Sequence, residues 1–256
     1  MFEAIRVGSA AAELDEVLEI DHARLAAQAG ASMPPARVLL ISDAEIVSRL
    51  LDGHPRAGLD LPFRVLAYEG TDGPAVAYTD DAFLRVRHGL DNAEALAAFD
   101  RALDGVLARI KVPTQAVPVE GLTRDQGIVE LVSDHGYRDT IDRLKQAVMG
   151  QDDTVWFGEI NYAAEAREVG RKLQPATLLL FGGPAPGGVA MAEYPRLGLD
   201  AFCQKLLVYE DDSGQVRVLF NSIAALAQLH YGEAAKPHRM LDKRLSETFA
   251  AAIARP

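Results

Sequence analysis

Sliding the 256-residue chain along itself by 140 positions brings two long stretches into register. Glu19-Ile20 falls on Glu159-Ile160, Gly30 on Gly170, Pro35-Ala36 on Pro175-Ala176 and Leu39-Leu40 on Leu179-Leu180. Without a gap, Pro55-Arg56-x-Gly58-Leu59-Asp60 then falls on Pro195-Arg196-x-Gly198-Leu199-Asp200, giving 14 identities in 42 positions from 19 to 60. One inserted residue later Glu69 meets Glu210, and after a second His88 meets His230. A chain that repeats itself in this way builds one supersecondary unit twice, so the duplication must be settled before any local assignment. The length agrees, being about twice that of a small domain of roughly 100–150 residues.

Each copy reads as α+β. In the second, Ile128 to Val132 alternates like a strand and Tyr137 to Met149 carries Ile141, Leu144 and Val148 on one helical face. A strand through Val155, Phe157 and Ile160 follows, then a short helix capped by Asn161 and ended by Gly170, as Asp21 and Gly30 bracket its counterpart. Leu178 to Phe181 reads as a buried strand, and Cys203–Glu210 with Gln215–Phe220 as a hairpin across Asp211-Asp212-Ser213-Gly214. Ser222 caps a helix reaching His230 and Tyr231, and Arg239 to Ile253 forms the last helix. Residues 1–111 are therefore the first repeat, 112–126, with Pro113, Pro118 and Gly121, a linker, and 127–256 the second repeat. The first copy looks shortened at its start, with Phe2 to Val7 open as a substitute strand. The expected architecture is two tandem homologous domains, each a mainly antiparallel sheet with helices on one face, packed as a pseudo-dimer.

Composition narrows the function classes. A net charge of −11, with no clustered Lys and Arg, argues against nucleic acid and against anionic membrane surfaces. The first residues have no secretory pattern and no apolar run approaches the roughly 20 residues of a membrane span, so a cytoplasmic protein is expected. Cys203, the single cysteine, has no partner for a disulfide or a Cys-x-x-Cys site and reads as a small buried hydrophobe. The six histidines show no metal-ligand spacing, so no metal is expected and no cofactor is indicated.

Several stretches resemble the domain of unknown function 302 family. In the second copy these are Leu178-Leu-Leu-Phe-Gly-Gly-Pro-x-Pro-Gly187, Tyr209-Glu210-Asp-Asp-x-Gly214 and Phe220-Asn221-Ser222. In the first they are Leu59-Asp-Leu-Pro62, Tyr68-Glu69, Ala77-Tyr78-Thr79-Asp80 and Arg87-His88-Gly89. The resemblance implies a compact α+β domain, often paired as a homodimer and usually bacterial, with no reaction attached. Two positions depart from it: Ser42-Asp43-Ala44-Glu45 replaces the glycine loop in the first copy, and Phe202 replaces the proline of Leu-Asp-Leu-Pro in the second. A fused pair frees one half to lose surface that the other keeps, and the intact glycine loop points to the second copy.

The candidate site follows from that loop. Gly182, Gly183, Gly187 and Gly188 lie after a strand and before a helix, where bare amides can cradle an anion, although a tight structural turn is the plainer reading. The loop has neither Walker nor Rossmann spacing. His230, just before a helix-ending glycine, has a plain structural reading as a dipole partner; a functional one would need a carboxylate such as Glu210. Arg56 with Asp60, and Arg196 with Asp200, read as local ion pairs that fix a turn. The reading is a non-catalytic protein that binds a small anionic or polar ligand between the glycine loop, Glu210, Asn221 and His230. The alternatives are an enzyme with His230 as general base in the same cleft, and a protein–protein interaction or self-association module.

Overall fold

A computed structural model describes residues 1–255. The first repeat runs α1 (Phe2–Ala11), β1 (Asp15–Asp21), α2 (His22–Gln28), β2 (Ala36–Ser42), α3 (Ala44–Leu51), a 3-10 turn (Pro55–Leu59), β3 (Phe63–Gly70), β4 (Gly73–Tyr78), α4 (Asp81–His88) and α5 (Ala93–Leu107). After β5 (Thr114–Ala116) come β6 (Ile128–Val132), α6 (Tyr137–Met149), β7 (Val155–Asn161), α7 (Tyr162–Glu168), β8 (Ala176–Gly182) and α8 (Pro184–Met191). A second 3-10 turn (Pro195–Leu199), β9 (Gln204–Glu210), β10 (Val216–Asn221), α9 (Ile223–Tyr231) and α10 (Lys236–Ile253) complete the second repeat.

Caps behave as the residue types require. Asp21 and Asn161 accept hydrogen bonds from the amides of Arg24 and Ala164, Asp80 from Phe83 and Ser222 from Ala225. Gly89 and Gly232 end α4 and α9 in the left-handed region at φ +67° and +74°. Both sheets have five strands, ordered β1-β2-β3-β4-β5 and β6-β10-β9-β8-β7. All pairings are antiparallel except β4 with β5.

The shortened start of the first copy is resolved differently from a substitute strand. Phe2–Ala11 is a helix, whose Ile5 joins the core with Phe99 and Val106. The strand equivalent to β6 is supplied instead by Thr114–Ala116, inside the stretch read as linker. Arriving after its repeat rather than before it, β5 joins the edge of β4 in parallel, whereas β6 joins β10 antiparallel. Pro113 and the lack of periodicity in so short a strand concealed it.

Alternation along the strands gives each sheet two apolar faces. In the second repeat Leu179, Phe181, Leu206, Val208 and Val218 pack against Leu144 and Val148 of α6 and Phe249 and Ile253 of α10. The other face, with Leu178, Leu180, Leu207 and Leu219, merges into the core of the first repeat. Each repeat thus carries its long helices outside and closes its inner face with its sister.

The contacts across that boundary are reciprocal. The Pro55–Leu59 turn lies on β8, β9 and β10, and the Pro195–Leu199 turn on β2, β3 and β4; α2 packs on α8 and α3 on α7. His22 donates from Nε2 to the carbonyl of Gly198 at 3.0 Å, and the equivalent Tyr162 hydroxyl lies 2.8 Å from that of Gly58. The two glycines leave room for those rings, because a Cβ on Gly58 would sit 2.9 Å from Tyr162 Cε2 and one on Gly198 2.9 Å from His22 Cδ2. The repeated Pro-Arg-x-Gly-Leu-Asp motif is therefore the inter-repeat interface and not an isolated turn.

The glycine loop has the same role. Pro184–Met191 is helical, its Gly187 and Gly188 are buried, and a Cβ on Gly188 would lie 2.7 Å from Cβ of Ala26 and 3.0 Å from that of Ala31. Gly188→Val should overpack the α2–α8 contact and lower stability by about 1–3 kcal/mol, read from the midpoint of urea unfolding. An unchanged midpoint would mean that this helix pair is not close-packed.

Candidate functional site at the inter-repeat boundary

The buried polar residues meet where the two repeats join. The sequence offsets and sheet register make Asp60, Arg64, Thr79 and His88 the counterparts of Asp200, Lys205, Asn221 and His230, since Arg64 lies opposite Leu40 and Lys205 opposite Leu180. All eight are buried. In the first copy Asp60 is the hub. Arg87 Nη1 donates to its Oδ2 at 2.5 Å, His88 Nε2 to the same oxygen at 2.8 Å, and Arg64 Nη2 to its Oδ1 at 3.3 Å. Arg87 also ties the repeats together, through Asn221 Oδ1 at 2.8 Å and the carbonyl of Gln126. Asp200 has a single partner, His230 Nε2 at 3.1 Å.

Burial and charge compete here. Burial alone would raise the Asp60 carboxyl, but Arg87, His88 and Arg64 outweigh it and hold the group well below the usual carboxylate range. Asp200 is lowered by the same balance, with His230 as the main opponent of burial. Lys205 goes the other way: burial and then Arg64 pull its ammonium down to about 7, only partly opposed by Asp60 and Asp200. Burial also lowers His88, against the pull of Asp60. With Asp60 ionised and able only to accept, the His88 proton on Nε2 points at it, which leaves Nδ1 of the neutral ring as a buried lone pair without a partner.

His88 also lines an inter-repeat cleft of about 560 Å³, with His54, Arg56 and Arg124 from the first copy and the linker, and Lys172 and Tyr209 from the second. Arg56 is already engaged, donating to Glu130 at 2.6 Å, to Asp125 at 3.1 Å and to the Tyr209 hydroxyl at 3.3 Å. Its expected pairing with Asp60 does not occur. Arg196 likewise bonds Gln115 and the His230 carbonyl and stacks on Tyr231, leaving Asp200 to His230. Arg124 and Lys172 have no ion pair among the described residues. The offset that pairs His88 with His230 places Tyr231 opposite Gly89. On the second-repeat side the Tyr231 hydroxyl and ring hold Arg196, whereas on the first the left-handed Gly89 leaves space for the Arg124 guanidinium.

The residues singled out from sequence fall in three places. Asn221 and His230 belong to the buried cluster, on either side of Asp200. Gly182 and Gly183, at the end of β8, and Gly187 face Phe157, Pro186 and Phe202, while Gly188 faces Ala26. Glu210 sits at the end of β9 opposite Lys205, five residues or about 17 Å along the strand. They do not form one cleft, and the carboxylate that reaches His230 is Asp200, not Glu210. The repetition of Asp60 as Asp200 and of His88 as His230 was the available signal for that pairing. Arg87 entered the sequence reading only within the Arg87-His88-Gly89 stretch, and Arg64 and Lys205 carried no signal as single cations near the start of mainly apolar strands.

The family match agrees with the tandem duplication. The model of the family described as "Domain of unknown function DUF302" matches residues 2–110 and again 129–252, so the chain belongs to the DUF302 family as a tandem pair. Two similar curated proteins are "Fluoride-specific ion channel FluC 1" of Brucella suis biovar 1 and of Brucella abortus biovar 1, each 36% identical over 106 residues. The match takes in 41% of this chain and 41% and 38% of those proteins, so the chain spans about two fifths of their length. A crystal structure of an uncharacterized conserved DUF302 protein from Bacillus stearothermophilus aligns with 50% of this chain and 95% of its own, at 16% identity and a TM-score of 0.41. No helix among the described residues is long and apolar enough to cross a membrane.

The Lys205 ammonium sets a testable pH dependence. Its folded value near 7 lies below the ordinary 10.5, so between those values the unfolded chain holds more protons and stability rises with pH. From pH 7 to 9.5 the urea midpoint of the wild type should climb. Lys205→Met should flatten that climb and be neutral or stabilising by about 1–4 kcal/mol, as replacement of buried charge by a packed apolar chain often is. By contrast Asp60→Asn strands Arg87 and Arg64 and should cost about 3–5 kcal/mol, more than Asp200→Asn, which releases only His230.

Proposed function

We propose that this protein binds a small anionic or polar ligand in the inter-repeat cleft beside His88. The observation that carries the reading is the pair of cations without ion-pair partners, Arg124 and Lys172, on the wall of a cleft whose size suits a small molecule. In a chain of net charge −11 these two cations stand against the general field and are the charged groups of the cleft free to meet an anion. The same lining holds three carboxylates, of which Asp52 and Asp211 are paired with Arg171 and Arg217 and Asp212 has no ion pair among the described residues. The name of the similar Brucella proteins also denotes an anion. Only that chemical class is taken from it, because the shared stretch is two fifths of those proteins.

A second reading, an enzyme, is favoured by one specific feature. Neutral His88, oriented by Asp60 and with Nδ1 unpartnered, has the arrangement of a general base. Its position would move the chemistry from the second repeat, where the His230 reading put it, to the wall of the first. The interaction-module reading gains less: large exposed apolar residues such as Val132, Met149, Val189 and Met240 lie on β6, α6, α8 and α10 and are not gathered at the shared boundary.

Native mass spectrometry of protein purified from its own host tests the binding reading. A retained adduct should disappear, or a titrated anion should bind about ten- to a hundredfold more weakly, in Arg124→Ala and Lys172→Ala, as loss of a charge-assisted hydrogen bond requires. Undiminished binding in both variants would reject the cleft as the site.

A further inference from the structure

A second, much smaller cavity lies inside the charge cluster, separate from the cleft. Its volume is about 10 Å³, room for one particle the size of a water molecule. Its polar lining is Asp200, Gln204, Lys205 and Asn221, backed by Phe181 and Phe220. Lys205 and Asn221 are 3% and 8% exposed, and Lys205 Nζ and Asn221 Nδ2 have no hydrogen-bond partner; the nearest carboxylate oxygen to Nζ is Asp60 Oδ1 at 4.0 Å. Arg64 Nε and Nη1 are unpartnered nearby, four bare donors in all, against Asp200 Oδ1 and the ring Nδ1 atoms of His88 and His230 as the other unpartnered atoms of the cluster. Donors therefore outnumber acceptors.

The charges point the same way. Arg64, Arg87 and Lys205 carry three positive charges when all are protonated, against two negative charges on Asp60 and Asp200. The remaining groups around Lys205 are the histidines His88 and His230, each bonded to one of those carboxylates, and Cys203, which burial pushes up to about 12 and keeps as a thiol. An unbalanced charge in the interior is costly, and it is relieved either by loss of the Lys205 proton or by a counter-ion. We infer that the inter-repeat cluster is an anion site in which one small halide-sized ion sits on Lys205 Nζ and Asn221 Nδ2, with Lys205 protonated. Asp200 Oδ1 limits the occupant to one small enough to stay on the donor side. Oxyanions and carboxylates, which the outer cleft can hold, are too large for a cavity of one water.

Binding is then coupled to a proton. Below about pH 7 Lys205 is already charged and occupancy is independent of pH; above it each bound ion must bring a proton, so apparent affinity falls tenfold per pH unit. The probe is sodium fluoride, whose anion is close to water in size, compared with sodium gluconate at equal ionic strength by thermal unfolding of the full chain. At pH 6 fluoride should raise the unfolding midpoint of the wild type and of Arg124→Ala, and not that of Lys205→Met, whose own unfolding transition reports that it folds. The fluoride response should weaken tenfold per unit above pH 7. Equal midpoints in the two salts at pH 6, the result a buried water would give, a response that survives in Lys205→Met, or one independent of pH would each overturn the inference. A response lost in Arg124→Ala would assign it to the cleft and also overturn the inner site, while leaving the cleft reading intact.

Discussion

The Asp60 carboxylate holds together more of this molecule than any other group. It is fully buried, accepts from Arg64, Arg87 and His88 within its own repeat, and through Arg87 connects to Asn221 of the other. A carboxylate so placed is stable only while its cations stay in position, and those cations sit on β3 and α4. The turn carrying Asp60, the sheet it lies over and the helix that closes the first repeat are thereby fixed relative to one another. The apolar contacts between repeats, from Leu207 to Gly58 and from Leu66 to Gly198, form around this arrangement.

Duplication followed by divergence explains why the boundary is lopsided. The symmetric parts are those that packing demands: the glycines under His22 and Tyr162, the two carboxylates and the two helix-terminal histidines. The asymmetric parts are polar. Arg64 has Lys205 as its counterpart, Thr79 has Asn221, Arg87 has Leu229, and Gly89 has Tyr231. A homodimer must place any such substitution on both sides at once, whereas a fused pair can close one side with Tyr231 and Arg196 and leave the other open beside His88. Cation and carboxylate are consequently unequal in the two halves: Asp60 has three cationic or imidazole hydrogen-bond partners and Asp200 one.

Much of the architecture was legible in the residues. Caps at Asp21, Asn161, Asp80 and Ser222, stops at Gly89 and Gly232, and strand alternation follow from local rules, because a cap or a strand face is decided within a few residues. Two local readings failed where a distant partner decided the outcome. Arg56 lies four residues from Asp60 but pairs with Asp125, Glu130 and Tyr209, and the glycine-rich run became helix α8 because its missing side chains admit α2. The strand at Thr114–Ala116 was missed because three residues are too few to show a period.

The sequence by itself determined the duplication, the order of most elements in the second copy and the pairing of the two repeats, since each is written in residue spacing and in amphipathic faces that have to be covered. Only the tertiary structure decided which carboxylate meets which histidine, which cations are left free, and that the outer cleft opens beside His88 while Asn221 and His230 lie in the interior. Those outcomes depend on residues 27 to 134 positions apart meeting in a low-dielectric boundary, where a single proton or charge changes the balance. No local pattern in the chain encodes that distance.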